Sequence, residues 1–302
     1  MICKGGIAME QYRPEGLPVT VPGLETLRAG ADTSEIFQAM CIKCDEFHNL
    51  HLDLGPIRGI IPREEAAMGI ADGKTREVAI LSRVGKAVSF RILAFDRNGN
   101  AIASRRAAQQ AAREYYLTHL QSGDILPAVV QNPASFGAFC DIGCGFPALM
   151  RVDRCCVSRL ASTEQRFHRG QSIYAAVLEV DTTLGRISLT GRELLGTWAE
   201  NAALFRQGQT VLGVVRSVMP YGTFIELTPN LSGLAETEQP LAVGDAVSVY
   251  IRSIQPDKHK IKLTVLERLP EPPRPAELMW RQTQGHLERW EYYPGSAAFT
   301  VF

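Results

Sequence analysis

Short runs of β-branched and other apolar residues, separated by turns rich in glycine, proline and aspartate, recur along most of the chain. Two clear runs are residues 211–218 and 247–251, and two of the turns are residues 143–147 and 256–258. β-Branched residues favour strands, whereas Gly, Pro and Asp favour the turns between them. The pattern predicts about five short strands in each segment of about 65 to 75 residues, which is the size of a small closed barrel of the OB type.

One set of residues recurs in the same order along the chain, which indicates repeated domains. Gly123, Phe136, Gly137 and Phe139 recur 85 positions later as Gly208, Tyr221, Gly222 and Phe224. Gly170, Arg186, Ile187 and Leu189 recur 74 positions later as Gly244, Lys260, Ile261 and Leu263. The later copy therefore lacks eleven residues of one internal loop. A weaker copy lies upstream, where Asp53-Leu54-Gly55 matches Asp141-Ile142-Gly143.

The segments between the copies predict helices. Residues 105–120 and 192–205 are rich in Ala, Leu, Glu and Arg and contain no proline, a composition that favours short helices. We therefore predict a mainly β protein of three tandem five-stranded OB-fold barrels joined by short helical connectors. The predicted organisation is an N-terminal extension (1–30), a divergent barrel (31–105), a connector (106–120), a second barrel (121–191), a second connector (192–205), a third barrel with a shortened loop (206–267), and a Pro-rich linker with an aromatic tail (268–302).

Composition limits how the protein can interact with its surroundings. Its 302 residues are 45% hydrophobic, and 32 basic side chains balance 32 acidic ones. With zero formal net charge the whole molecule cannot coat nucleic acid as a polycation, so nucleic-acid binding must use local faces. Seven unevenly spaced cysteines indicate reduced thiols in a cytoplasmic protein. No signal-peptide pattern and no apolar run of about 18 residues is present, so we expect neither secretion nor membrane insertion.

The repeated motifs resemble the RNA-binding repeat of the bacterial small-subunit ribosomal protein S-one family. The second copy contains Phe136-Gly137-Ala138-Phe139 and Gly185-Arg186-Ile187-Ser188-Leu189-Thr190, and the third contains Tyr221-Gly222-Thr223-Phe224 and Lys260-Ile261-Lys262-Leu263-Thr264. With three repeats, the chain resembles the short Firmicutes-type form of that family. The resemblance implies OB barrels that bind single-stranded RNA, mRNA in particular, and it implies the 30S ribosomal subunit as a partner. We expect a monomer without a cofactor or a bound metal.

The resemblance also assigns candidate RNA-binding residues to two of the copies. They are Phe136, Phe139, Arg151, Asp181 and Arg186 in the second copy, and Tyr221, Phe224 and Lys260 in the third. Aromatic rings can stack on bases, and basic side chains can contact phosphates. We expect Gly137 to let the backbone bend and let a base approach the two phenylalanine rings on the outer barrel face. The alternative is that one or both rings fill the barrel core.

The three copies differ in charge at the equivalent positions. The long loop of the second copy carries Arg151, Arg154, Arg159, Arg166 and Arg169, which either contact phosphates or form a solvated surface. In the third copy Glu236 takes the place of Arg151, and Gln255 that of Asp181, which predicts weaker RNA contact. In the first copy His48 and His51 take the ring positions, while Pro62 and Asn100 take two further binding positions. We expect the first barrel to dock to protein instead.

Two residue groups and two other functions remain open. Cys41, Cys44, His48 and His51 are of zinc-binding types, but their spacing matches no zinc motif and cysteines are common core residues. Trp280, Trp290, Tyr292 and Tyr293 follow a Pro-rich spacer (269–275) and could contact RNA, a partner or the last barrel. We find no phosphate-binding loop and no catalytic motif, so we predict no enzyme. The remaining alternatives are an accessory role in RNA decay or regulation, and a protein-interaction scaffold.

Overall fold

Three closed five-stranded barrels follow one another in the computed structural model, which describes residues 11–237, 240–270 and 278–302. The first contains β1 (Phe37–Cys44), β2 (Leu50–Leu54), β3 (Ile57–Ile61), β4 (Ala87–Phe95) and β5 (Ala101–Ser104). The second contains β6 (Ile125–Pro133), β7 (Gly137–Asp141), β8 (Pro147–Arg151), β9 (Ser172–Asp181) and β10 (Arg186–Thr190). The third contains β11 (Thr210–Met219), β12 (Gly222–Thr228), β13 (Leu231–Ala235), β14 (Ala246–Gln255) and β15 (Lys260–Arg268). The prediction of a mainly β protein with three five-stranded barrels is confirmed.

All three barrels share one topology. In each, the first strand pairs with the second and the fourth, and the third strand pairs in parallel with the fifth. Side chains alternate between the inside and the outside of a barrel because successive residues of a strand point to opposite faces. In β7, for example, Ala138 and Cys140 are fully buried inside, whereas Phe139 between them points outward.

Among residues 11–237, 240–270 and 278–302, five α-helices and four short 3-10 helices accompany the strands. The α-helices are α1 (Leu24–Thr33), α2 (Val78–Leu81), α3 (Arg105–His119), α4 (Val152–Cys155) and α5 (Trp198–Ala202). The 3-10 helices are Arg63–Glu65, Thr163–Gln165, Arg192–Leu195 and Pro256–Lys258. Within the ranges that the structure describes, no helix is long and apolar enough to cross a membrane.

Helix α3 occupies the first segment for which a helix was predicted. It begins after Ser104, whose hydroxyl accepts a hydrogen bond from the Ala107 N–H at 2.8 Å, a typical N-cap. Ala108, Ala112 and Tyr116 recur every four residues and form its buried face. The Tyr116 hydroxyl donates to the Ile142 carbonyl at 2.7 Å, which ties the helix to the second barrel.

The second predicted connector is divided into two short helices. Gly196 lies between Arg192–Leu195 and α5 with a φ of +86°, a conformation that ends a helix and favours glycine. Thr197 then caps α5 by accepting a hydrogen bond from the Glu200 N–H. Composition predicts the helical tendency here but misses the break.

The tail packs against the last two barrels. Trp290 and Tyr292 are buried in the hydrophobic cluster of the third barrel, and the Tyr292 hydroxyl donates to the Asn230 carbonyl. Trp280 contacts Tyr174 of the second barrel edge to face, with ring centroids 6.1 Å apart. Two short strands, β16 (Arg289–Glu291) and β17 (Phe299–Val301), pair within the tail. Most of the predicted Pro-rich spacer falls on residues 271–277, outside the described residues.

Candidate nucleic-acid interface

Two phenylalanine rings lie exposed on the outer face of the second barrel. Phe136 is 57% exposed and Phe139 is 37% exposed, and their ring centroids are 6.0 Å apart in an edge-to-face arrangement. Phe139 points outward because both of its neighbours in β7 fill the barrel core. Neither ring therefore fills the core, and both have faces open to solvent.

Gly137 is required for a reason other than the one expected from the sequence. A Cβ atom at this position would lie 2.6 Å from the carbonyl oxygen of Met150 and 3.1 Å from the Cα of Arg151. Both atoms belong to the backbone of β8, the strand that pairs with β7. The missing side chain thus allows two strands to approach closely, and the structure gives it no separate role toward a base.

The third barrel repeats the aromatic pair. Tyr221 is 63% exposed, and Phe224 is half-buried beside it, with ring centroids 6.3 Å apart and nearly perpendicular planes. The phenol can remain at a wet surface because its hydroxyl bonds to water while its ring offers an apolar face. The two barrels therefore present the same two-ring geometry at equivalent strand positions.

Arg151 lies next to the aromatic pair of the second barrel. It ends β8 directly opposite Gly137 in the strand register, its side chain is 68% exposed, and its Nε donates to Asp153 Oδ1 at 3.0 Å. An exposed ion pair of this kind stabilises by at most about 1 kcal/mol, so a phosphate can compete for the guanidinium. The equivalent position in the third barrel is the exposed Glu236, which immediately follows β13.

Arg186 lies on the same outer face but farther along it. Phe139 pairs with Leu149, Leu149 pairs in parallel with Ser188, and Arg186 precedes Ser188 by two residues. Strand spacing and rise place Arg186 roughly 12 Å from Phe139, measured between Cα atoms. Asp181 is opposite Arg186 in the register, but its Oδ1 accepts from the Leu184 N–H at 2.8 Å and so stabilises the β9–β10 turn.

In the third barrel the outward-facing positions of β15, which correspond to those of β10 in the second barrel, carry an additional positive charge. Lys260 begins β15 opposite Gln255, and Lys262 pairs with Leu234, which in turn pairs with Phe224. Lys262 is exposed and occupies the place that Ser188 has in the second barrel. The alternation of β15, with its even-numbered residues outside, is the sequence signal that could have identified it.

The arginines of the long loop do not form one patch. Arg169 donates to Asn132 Oδ1 at 3.0 Å, and Asn132 pairs with Phe139, so this arginine borders the aromatic face. Arg159 is exposed, whereas Arg166 is fully buried against Glu226 of the third barrel, 2.7 Å away. The interpretation of Arg166 as a phosphate-contacting or solvated residue is therefore wrong.

The first barrel presents a different surface at the equivalent positions. The ring of His48 lies 3.0 Å from Glu77, and that of His51 lies 3.0 Å from Asp45. Cys41 is buried in the barrel core, and burial raises the pKa of its thiol to about 11. Among residues 11–237, 240–270 and 278–302, no three His, Cys, Asp or Glu side chains are grouped so that they could hold a metal ion.

Comparison with known proteins points to one family. The chain is 28% identical over 281 residues to the small ribosomal subunit protein bS1 homolog of Bacillus subtilis, covering 87% of this chain and 71% of that protein. It is 29% identical over 234 residues to bS1 of Mycobacterium tuberculosis, covering 72% of this chain and 47% of that protein. It is 28% identical over 198 residues to bS1 of Neisseria meningitidis serogroup B, covering 59% of this chain and 35% of that protein. The chain thus spans less than half the length of the latter two relatives. No protein-family profile matches the chain.

Proposed function

We infer that the chain belongs to the family of bacterial small ribosomal subunit protein bS1, and we propose that it binds single-stranded RNA, mRNA in particular, during translation. The observation that carries the proposal is the exposed pair Phe136 and Phe139, repeated as Tyr221 and Phe224 in the next barrel. The relatives of the chain, which are bS1 proteins from several bacterial groups, support the same proposal.

Aromatic rings held at a surface suit unpaired bases. Leaving a large ring exposed forgoes roughly 1.5 to 3 kcal/mol of burial free energy, so two exposed rings in contact suggest a surface that is covered in a complex. A base stacked on such a ring contributes about 1 to 3 kcal/mol, and every base offers a face for stacking. We therefore expect binding that tolerates different base sequences.

The proposed binding residues of the second barrel are Phe136, Phe139, Arg151, Asp181 and Arg186. The rings stack bases, the two arginines contact phosphates, and Asp181 holds the turn from which Arg186 extends. In the third barrel Tyr221, Phe224 and Lys260 take the corresponding roles, whereas the Glu236 carboxylate repels the RNA phosphates. The second barrel is thus the stronger RNA platform of the two.

We propose that the protein is cytoplasmic and monomeric, that it associates with the 30S subunit, and that it has no catalytic activity of its own. A role in RNA decay is less favoured, because the relatives are ribosomal proteins.

The proposal is tested by fluorescence anisotropy with a labelled single strand of about 12 nucleotides and a duplex of equal length, at about 50 and 200 mM salt. We expect the single strand to bind at least about tenfold more tightly than the duplex, because only unpaired bases can stack. Equal affinity for both, or no binding at the lower salt, would contradict the proposal. Sedimentation with purified 30S subunits tests the partner, and free protein at the top of the gradient would exclude it.

A further inference from the structure

A cavity of about 390 Å³ lies where the first barrel, helix α3 and the second barrel meet. Its volume falls within the range of roughly 300 to 1,000 Å³ that is typical of small-ligand sites. Its polar lining residues include Arg83 from the first barrel, Arg105 and Arg113 from α3, and Gln131 from the second barrel. Met68 and Pro147 contribute apolar surface.

Positive charge predominates at this cavity. Three arginines line it and no Asp or Glu does. The Glu15 carboxylate, buried nearby, is shared by two of them: Arg105 donates to it twice at 2.7 Å, and Arg83 once at 3.2 Å. The buried Asp141 carboxyl, which accepts from the Glu15 N–H at 2.8 Å, also interacts electrostatically with Arg83 and Arg105. Arg113 adds a third positive charge at the cavity.

Two of these arginines have donors that are not used. In the part of the chain that the structure describes, Arg113 has no ion pair or side-chain hydrogen bond. Its Nη2 packs closely on Gly185, since a Cβ atom on Gly185 would lie 1.9 Å from that nitrogen. The Nε of Arg83 is buried and has no hydrogen-bond partner among the described residues.

The cavity continues the aromatic face of the second barrel. Phe139 pairs with Leu149, and two residues farther along the same strand Pro147 lines the cavity. On the other side Gln131 lines it and is adjacent to Asn132, the partner of Phe139 in β6. Strand spacing and rise therefore place Pro147, at the edge of the cavity, roughly 8 Å from Phe139, measured between Cα atoms.

We propose that this cavity receives one nucleotide of the bound RNA strand, next to the bases stacked on Phe136 and Phe139, with its phosphate on Arg83 and Arg113. The inference rests on the function proposed above. The sugar and base pack on Met68 and Pro147, and the Gln131 amide is available to a base edge. The first barrel, which lacks the aromatic pair, then contributes to RNA binding because its residues line one side of the cavity.

The test compares two RNA lengths and three proteins. Arg113→Gln removes the charge without breaking any hydrogen bond to the described residues, and Arg28→Gln removes an equal charge from the exposed side of α1 as a matched control. Anisotropy is measured with strands of about five nucleotides, which cover the rings alone, and about ten, which reach the cavity. Because a charged hydrogen bond contributes about 1.5 to 3 kcal/mol, we expect Arg113→Gln to weaken the longer strand about tenfold or more. The shorter strand should be unaffected, and Arg28→Gln should change neither.

The outcomes separate this inference from the proposed function. If the wild-type protein binds neither strand, the proposed function fails. If it binds both and Arg113→Gln weakens both equally or neither, only the cavity inference is overturned. Equilibrium dialysis with free uridine monophosphate distinguishes the source of the nucleotide. Displacement of the monophosphate by the longer strand but not the shorter one supports the proposal, whereas binding that neither strand displaces would assign the cavity to a free nucleotide.

Discussion

Arg166 of the second barrel and Glu226 of the third form an ion pair that is completely shielded from solvent. The Arg166 Nη2 lies 2.8 Å and 2.7 Å from the two carboxylate oxygens, and the side chains are 0% and 1% exposed. Arg216 also donates to Glu226 through its Nε at 2.7 Å. Although burial by itself raises the pKa of Glu226, the charges and hydrogen bonds of these two arginines lower it below its ordinary value. The carboxylate is therefore ionised and joins the two barrels.

Glu226→Gln should destabilise the protein strongly. The substitution leaves the buried charge of Arg166 without a counter-charge, and breaking a buried pair in this way typically costs 3 to 5 kcal/mol. We expect the free energy of unfolding, measured with urea, to fall by about that amount. Glu236→Gln, at an exposed position of the same barrel, should change it by less than about 0.5 kcal/mol. Similar unfolding curves for the two variants would show that the ion pair does not hold the barrels together.

Asp141 should make stability depend on pH. Burial and the neighbouring charge of Glu15 raise the pKa of Asp141 from 3.8 to about 7. The folded protein therefore holds a proton at this site that the unfolded chain loses near pH 4, and this contribution to stability disappears as the pH rises to about 7.

The variant Asp141→Asn isolates this effect because it cannot titrate. The stability of the wild-type protein relative to Asp141→Asn should fall as the pH is raised from about 4 to about 7, and it should be constant above that window. Unfolding by urea at several pH values measures the difference. If the stability of the wild-type protein relative to Asp141→Asn rises with pH, then the three backbone N–H groups that donate to Asp141 keep its carboxylate ionised instead.

Reversing the charge at Glu236 should strengthen the third barrel. This residue occupies the position of Arg151, where a carboxylate repels phosphate. Glu236→Arg should therefore raise the affinity for single-stranded RNA. The slope of the logarithm of affinity against the logarithm of salt concentration should become steeper by about one, because one more phosphate is neutralised. Titrations at several salt concentrations measure the slope, and Arg151→Glu should change it in the opposite direction. An unchanged slope in both variants would place the RNA away from this end of the barrels.

The barrel architecture could be predicted from the sequence because its signals are local and repeated. The predicted strand at residues 211–218 lies within β11, and that at 247–251 lies within β14. The exposed rings follow from the same alternation, since Phe139 stands between two core residues.

The contacts between barrels could not be predicted in this way. Arg166 looks like its exposed neighbour Arg169 in sequence, and only its partner sixty residues away determines that it is buried. Glu15 lies in a segment that the sequence suggests is a mere extension, yet it is buried and paired with Arg105, ninety residues away. Side-chain type indicates charge, whereas burial depends on which surfaces the barrels bring together.

The central claim, that the aromatic pair of the second barrel is the main RNA platform, is tested most directly by anisotropy with paired variants. We expect Phe136→Ala/Phe139→Ala to lose at least about thirtyfold in affinity for a single strand, since two stacking contacts contribute about 2 kcal/mol or more. Tyr221→Ala/Phe224→Ala should lose less. If the first variant binds as tightly as wild type, or if the second loses more, the account of the second barrel as the principal binding surface is contradicted.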